Sequence, residues 1–125
     1  MWEGTEIIPC NTTSPQVINK ILTLIDDVNN YDTIQFYYYW YNSSSASTHN
    51  MTKKEFKIDM ITNNMELLIT INSVYCLASN ITFPSNTTVK IIGSSSFNTS
   101  GNTSGNAIKI SKIVGVKYKT FSTPE

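Results

Sequence analysis

From Thr33 the chain alternates in steps of two. Ile34, Phe36, Tyr38 and Trp40 fall on one side and Thr33, Gln35, Tyr37, Tyr39 and Tyr41 on the other, which is the period of a β-strand. A polar loop, Asn42 to Lys54, follows. Phe56, Ile58 and Met60 then alternate with Glu55, Lys57 and Asp59, and Met65, Leu67, Ile69 and Ile71 with Glu66, Leu68, Thr70 and Asn72. Both runs predict half-buried antiparallel strands, with a turn at Asn63-Asn64 between them. Strand continues from Val74 to Phe83 and ends at Pro84; its inward phase slips between Ile71 and Ile81, which a bulge or short turn at Asn72-Ser73 would explain. Val89 to Ile92 predicts a short strand, and Gly93 to Gly105 a mobile loop of small polar residues. The last predicted strand, Ala107 to Phe121, has Ile108, Ile110, Val114, Val116 and Tyr118 on one face and Lys109, Lys117 and Lys119 on the other. Lysines in such places discourage edge pairing.

One segment has a different period. Val17, Ile18, Ile21, Leu22, Leu24, Ile25 and Val28 recur at three- and four-residue spacing behind Ser14-Pro15, an N-cap followed by a proline suited to the first helical position. The spacing predicts an amphipathic helix ending near Asn29-Asn30, with a stripe broad enough to lie on a sheet. The expected fold is therefore α+β: one N-terminal amphipathic helix packed on a curled antiparallel sheet of four to six strands, in a single domain spanning residues 1–125.

Length fits one core: 125 residues cannot divide into two domains of ordinary size. The apolar fraction is 40% and the mean hydropathy −0.16, values of a globular chain without an apolar run long enough to span a membrane. Nine basic and nine acidic residues give zero net charge, and all nine bases are lysine. The missing arginine forks argue against nucleic acid as a partner and against a specific phosphate pocket. Charged residues make up 14% of the chain, so Asn, Ser and Thr carry its polarity.

Cys10 and Cys76 lie in no C-x-x-C motif and beside no histidine, which removes zinc and thioredoxin-like readings. A single structural disulfide between them is the expectation, closing a loop of about 65 residues and constraining the unfolded chain by about 4 kcal/mol; two buried thiols in a cytosolic protein are the alternative. Asn-x-Ser/Thr patterns begin at Asn11, Asn42, Asn50, Asn80, Asn86, Asn98 and Asn102, about twice the number chance supplies in so Ser/Thr-rich a chain. They fit a glycosylated ectodomain, and they fit the codon bias of an AT-rich genome. MWEGTEIIPC has no basic segment leading into an apolar stretch. With the disulfide and the scarcity of charge, this leads to the expectation of a trimmed, exported, extracytoplasmic chain.

Candidate chemistry is sparse. His49 stands in a polar loop without a second metal ligand nearby in sequence, and neither cysteine has a base partner except that distant histidine. Asp26-Asp27 falls near the C-terminal end of the predicted helix, where the dipole disfavours carboxylates. No phosphate loop, dinucleotide fingerprint, H-E-x-x-H or calcium loop occurs. Neither catalysis nor a cofactor nor a metal is expected. The feature above background is the tyrosine ladder: Phe36, Tyr38 and Trp40 are accounted for by a core, whereas Tyr37, Tyr39 and Tyr41 continue a face that meets solvent and are the candidate binding residues, for a protein partner or a glycan.

Cys10, the Ser14–Asn30 helix, and the strand bearing Tyr75-Cys76-Leu77-Ala78 followed by Ile81-Thr82-Phe83 resemble a loose class of small exported bacterial proteins, many of them lipoproteins. In that class a cysteine ahead of an N-terminal helix ties to a strand in a cystatin-like or NTF2-like fold. The resemblance implies an envelope or secretion-assembly accessory that works by protein contact. A second resemblance, to Ig-like viral glycoproteins, rests on the two cysteines, Tyr75 beside the second, Trp40 between them and the glycosylation patterns. It implies an ectodomain binding an immune or cell-surface partner. Against it, Trp40 lies far from Cys10, and a helix cannot serve as an immunoglobulin strand B.

Overall fold

A computed structural model describes residues 1–43, 45–58, 65–71, 74–98 and 105–118. Eight strands carry the fold: β1 (Trp2–Pro9), β2 (Gln16–Thr23), β3 (Thr33–Asn42), β4 (Ser47–Lys57), β5 (Met65–Ile71), β6 (Val74–Ser85), β7 (Thr88–Asn98) and β8 (Asn106–Val116). They form two four-stranded sheets of order β1-β8-β3-β4 and β2-β7-β6-β5, and every pairing is antiparallel. The inner faces meet in one core. Ile8, Ile34, Phe36, Tyr38, Ile108, Ile110 and Ile113 from the first sheet pack against Leu22, Leu67, Ile69, Cys76, Ile81, Val89 and Ile91 from the second. Each sheet hides one face on the other, the standard solution for strands that are apolar on one side.

The expected N-terminal helix is absent, and with it the α+β class: the described residues hold a single 3-10 turn, Val28–Asn30, and no α-helix. Gln16–Thr23 is an edge strand instead. Its apolar residues come in adjacent pairs, of which Ile18, Leu22 and Leu24 turn toward the core, while Val17, Ile21 and Ile25 are 74%, 56% and 82% exposed. A strand apolar on both faces reproduces the spacing of a helical stripe. The composition decides between the two, because Val, Ile and Thr lose rotamer freedom in a helix and fit a pleated surface. Asp27 lies outside any α-helix and caps the 3-10 turn by accepting from the Asn29 N–H at 2.8 Å.

Other boundaries shift as well. Trp2–Pro9, given no structure by its pattern, pairs with β8. Most of the expected Asn42–Lys54 loop is strand β4, and β7 extends through the first part of the expected Gly93–Gly105 loop. The inward residue after Ile110 is Ile113, because an extra residue of β8 at Ser111 shifts its register against β3. Tyr118 follows the end of β8 rather than belonging to it. The Asn63-Asn64 and Asn72-Ser73 turns, and the strand expected through 119–121, lie outside the described residues.

Three of the register shifts share a residue type. Asn19, Asn50 and Asn80 have φ of 48°, 55° and 55°, and they stand where β2 shifts against β7, β4 against β3, and β6 against β5. Asparagine tolerates this left-handed conformation better than other side-chain-bearing residues. An extra residue there bends the strand and increases its twist. The bulge at Asn80 also moves the inward phase from Ala78 to Ile81.

Edge strands are closed by polar devices. Glu6 on β1 and Lys20 on β2 pair with core-facing Ile110 and Ile91, yet reach each other at 3.3 Å across the open side of the sandwich. On β5 the Leu68 carbonyl accepts from the Tyr38 hydroxyl at 2.8 Å, so a side chain buried between the sheets satisfies an edge group. Burial raises the pKa of that phenol, while the carbonyl contact lowers it; burial dominates, and the hydroxyl stays a donor. Replacing Asn80 with alanine is expected to cost about 1 kcal/mol, because it keeps a β-carbon in left-handed backbone but loses the short polar side chain that makes this conformation tolerable, while Asn80→Gly keeps wild-type stability. Urea unfolding of the two variants checks this, and equal losses would show that the side chain rather than the backbone matters there.

Candidate functional site

β3 lies between β8 and β4, so both its faces are set by neighbours. Ile34, Phe36 and Tyr38 are buried in the core, and Phe36 meets the Phe56 ring edge-on at 5.7 Å. Tyr37, Tyr39 and Tyr41 stand on the outer face, each half-buried. In register, Tyr37 is flanked by Lys53 of β4 and Lys112 of β8, Tyr39 by Lys109 of β8 and the Asn50 bulge of β4, and Tyr41 by Thr48 and Ala107. The lysines lean onto the ladder: Lys112 Nζ is 5.5 Å from the Tyr37 ring centroid and Lys109 Nζ 5.9 Å from that of Tyr41. Such contacts hold an ammonium over the negative face of the ring, and the aliphatic stems cover apolar surface. The ladder is thus covered in part by its own sheet.

Below it on the same face, three donors converge on one carboxylate oxygen. Glu55 Oε1 accepts from Tyr118 Oη at 2.8 Å, Thr33 Oγ1 at 3.0 Å and Gln35 Nε2 at 3.2 Å. Gln35 in turn accepts from the Tyr37 hydroxyl at 3.1 Å, which links the network to the ladder. The hydrogen bonds, Tyr118 foremost, then Gln35 and Thr33, hold the Glu55 carboxyl below its usual range. Beside it opens a cleft of about 780 Å³ lined by Tyr31, Asp32, Lys57 and Tyr118 among others.

Cys10 and Cys76 come together, both buried, but as two free thiols. The expected disulfide is not formed. Cys10 Sγ is 3.3 Å from the Ile8 carbonyl oxygen and 3.7 Å from that of Leu77. Its contact with Cys76, reinforced by burial, pushes its pKa up. The same contact lowers that of Cys76, against burial. Cys10 is the thiol that keeps its proton. His49 is on strand β4 instead of in a loop, paired with Trp40 and stacked at 5.2 Å between ring centroids.

Among the described residues no group of three His, Cys, Asp or Glu side chains could hold a metal ion, and no helix is long and apolar enough to cross a membrane. No protein-family model, no curated protein and no solved structure matches the chain. The outer face of the first sheet is the one place where the sequence-derived site residues and a built polar network coincide. Sequence reasoning found its tyrosines and missed its lysines, which arrive from β4 and β8.

With its pKa depressed by folding, Glu55 contributes stability above the ordinary glutamate value and loses it as pH falls through the lower folded one. Glu55→Gln is expected to unfold more easily than wild type at neutral pH, with a difference that starts to shrink at about pH 4 and vanishes only below the folded pKa, as read by melting temperature against pH. A constant difference across that range would contradict the assignment.

Proposed function

We propose that the chain is a non-catalytic, extracytoplasmic recognition domain that acts through protein contact on the outer face of β3. The observation that carries this reading is the ladder Tyr37, Tyr39 and Tyr41, half-buried and pinned by Lys109 and Lys112. Ordered tyrosines give large contact area at little further entropic cost, and tyrosine is enriched at the centres of protein interfaces. The glycan reading is disfavoured by the same contacts, since lysines occupy ring faces of Tyr37 and Tyr41 on which a sugar would stack.

Support for the compartment comes from the low charged fraction, 14%, and the seven Asn-x-Ser/Thr patterns; the two free thiols do not add to it. A glycosylated ectodomain is the second reading, favoured by exposed positions for Asn11, Asn50, Asn80 and Asn86. The strand order departs from the ABED and CFG sheets of an immunoglobulin domain, so that reading concerns the role and compartment alone.

The test uses cells that make the protein, carrying a photo-cross-linking residue at Tyr39 or, as control, at Thr70 on the outer face of the other sheet. A discrete protein adduct is expected from position 39 alone, in the extracytoplasmic fraction of those cells. No adduct, or the same adduct from both positions, would remove the contact reading; a chain found in the cytoplasmic fraction would remove the compartment.

A further inference from the structure

We infer that the protein partner of the β3 face presents a carboxylate-rich surface, and that Lys53, Lys109 and Lys112 are the cations that meet it. The inference rests on the recognition reading above and names the chemistry of its partner. Lys53 and Lys112 sit on either side of Tyr37, about 10 Å apart from Cα to Cα at the usual strand spacing. Lys109 lies opposite Tyr39 and over Tyr41. Together they frame the ladder on a chain of zero net charge, so the positive potential belongs to this face and not to the molecule as a whole.

Lys109 and Lys112 make no ion pair within 4.0 Å among the described residues, while Lys53 is compensated in part by Glu55, whose carboxyl its charge helps hold down. Among the described residues the ion pair within 4.0 Å is Lys20–Glu6, at the side of the sandwich. The acids on the same face are Glu3, in register with Lys112 but not within ion-pair distance, and Glu55, whose Oε1 is engaged by Tyr118, Thr33 and Gln35. Among the described residues Lys109 donates to a neutral partner, Thr48 Oγ1 at 3.3 Å. Two ammonium groups held over aromatic rings, with Lys53 in register beside Tyr37, are a standing attraction for anions.

The rim selects a protein over other polyanions. Ile7, in register with Lys109, and Met51, in the bulge opposite Tyr39, are 36% and 56% exposed. Exposed tyrosine, isoleucine and methionine give the face an apolar component of the kind found in protein interfaces, where Tyr and Met are enriched. A nucleic acid is read chiefly by arginine forks on base edges, and this chain has no arginine.

The experiment measures fluorescence anisotropy of a labelled glutamate-rich peptide, a heparin oligosaccharide and a single-stranded oligonucleotide against the whole chain. Saturable peptide binding is expected, tighter than either competitor and weakening as salt rises. It should fall by about tenfold or more in K53E/K109E/K112E, and by less in the Lys→Gln triple variant, which guards against misfolding. No saturable binding of the peptide, binding unchanged in both triple variants, or tighter binding of heparin or the oligonucleotide would overturn the acidic-protein assignment. The cross-link at position 39 separates the two levels. An adduct that persists in the charge-reversed chain leaves the recognition reading standing and removes the acidic partner.

Discussion

The alternation of β3 is the constraint on which the rest depends. As an inner strand it hydrogen-bonds on both sides, and its inward residues fill the centre of the core. A slip of one residue would send Phe36 and Tyr38 into solvent and bring Tyr37 and Tyr39 inside. Packing alone discriminates poorly between these registers, because both sides of the strand are aromatic. The Tyr38 hydroxyl supplies the discrimination: it reaches the Leu68 carbonyl on the exposed edge of β5, a bond whose loss leaves a buried polar group unpaired at a cost of about 1–3 kcal/mol.

Around that strand the two sheets manage their free edges separately. Bulges at Asn19, Asn50 and Asn80 bend β2, β4 and β6, and the Lys20–Glu6 pair spans the side where β1 and β2 run next to each other. That ion pair is worth at most about 1 kcal/mol at such exposure. Its larger effect is to keep an inward-phase charge on each edge strand, which penalises pairing with another chain. The Cys10–Cys76 contact joins the sheets near the Trp40 end of the core.

Where the chain has a clean period of two, the pattern read directly. β3 and β5 lie within a residue of their expected spans, and the split of FYYYWY into an inner and an outer face is as expected. β2 reads as a helix because its apolar residues occur in pairs, one of each pair inside and one outside, and that spacing imitates a helical stripe; its Val, Ile and Thr content is the one local signal for a strand. β1 has too few apolar residues on its inner phase to announce itself. The tyrosine ladder was visible locally, but its lysine caps come from β8, some seventy residues on, so the character of the site depends on topology. The meeting of the cysteines could be expected from their number; their free-thiol state could not.

The most direct measurement is the set of proton–proton contacts made by the five consecutive aromatics from Tyr37 to Tyr41 in solution. Tyr38 ring protons should lie close to Leu67 and Leu68 of β5, and the rings of Tyr37 and Tyr41 close to the side-chain methylenes of Lys112 and Lys109. Tyr37 or Tyr39 in contact with β5, with Tyr38 against the lysines, would mean the opposite register and would contradict both the core and the recognition face.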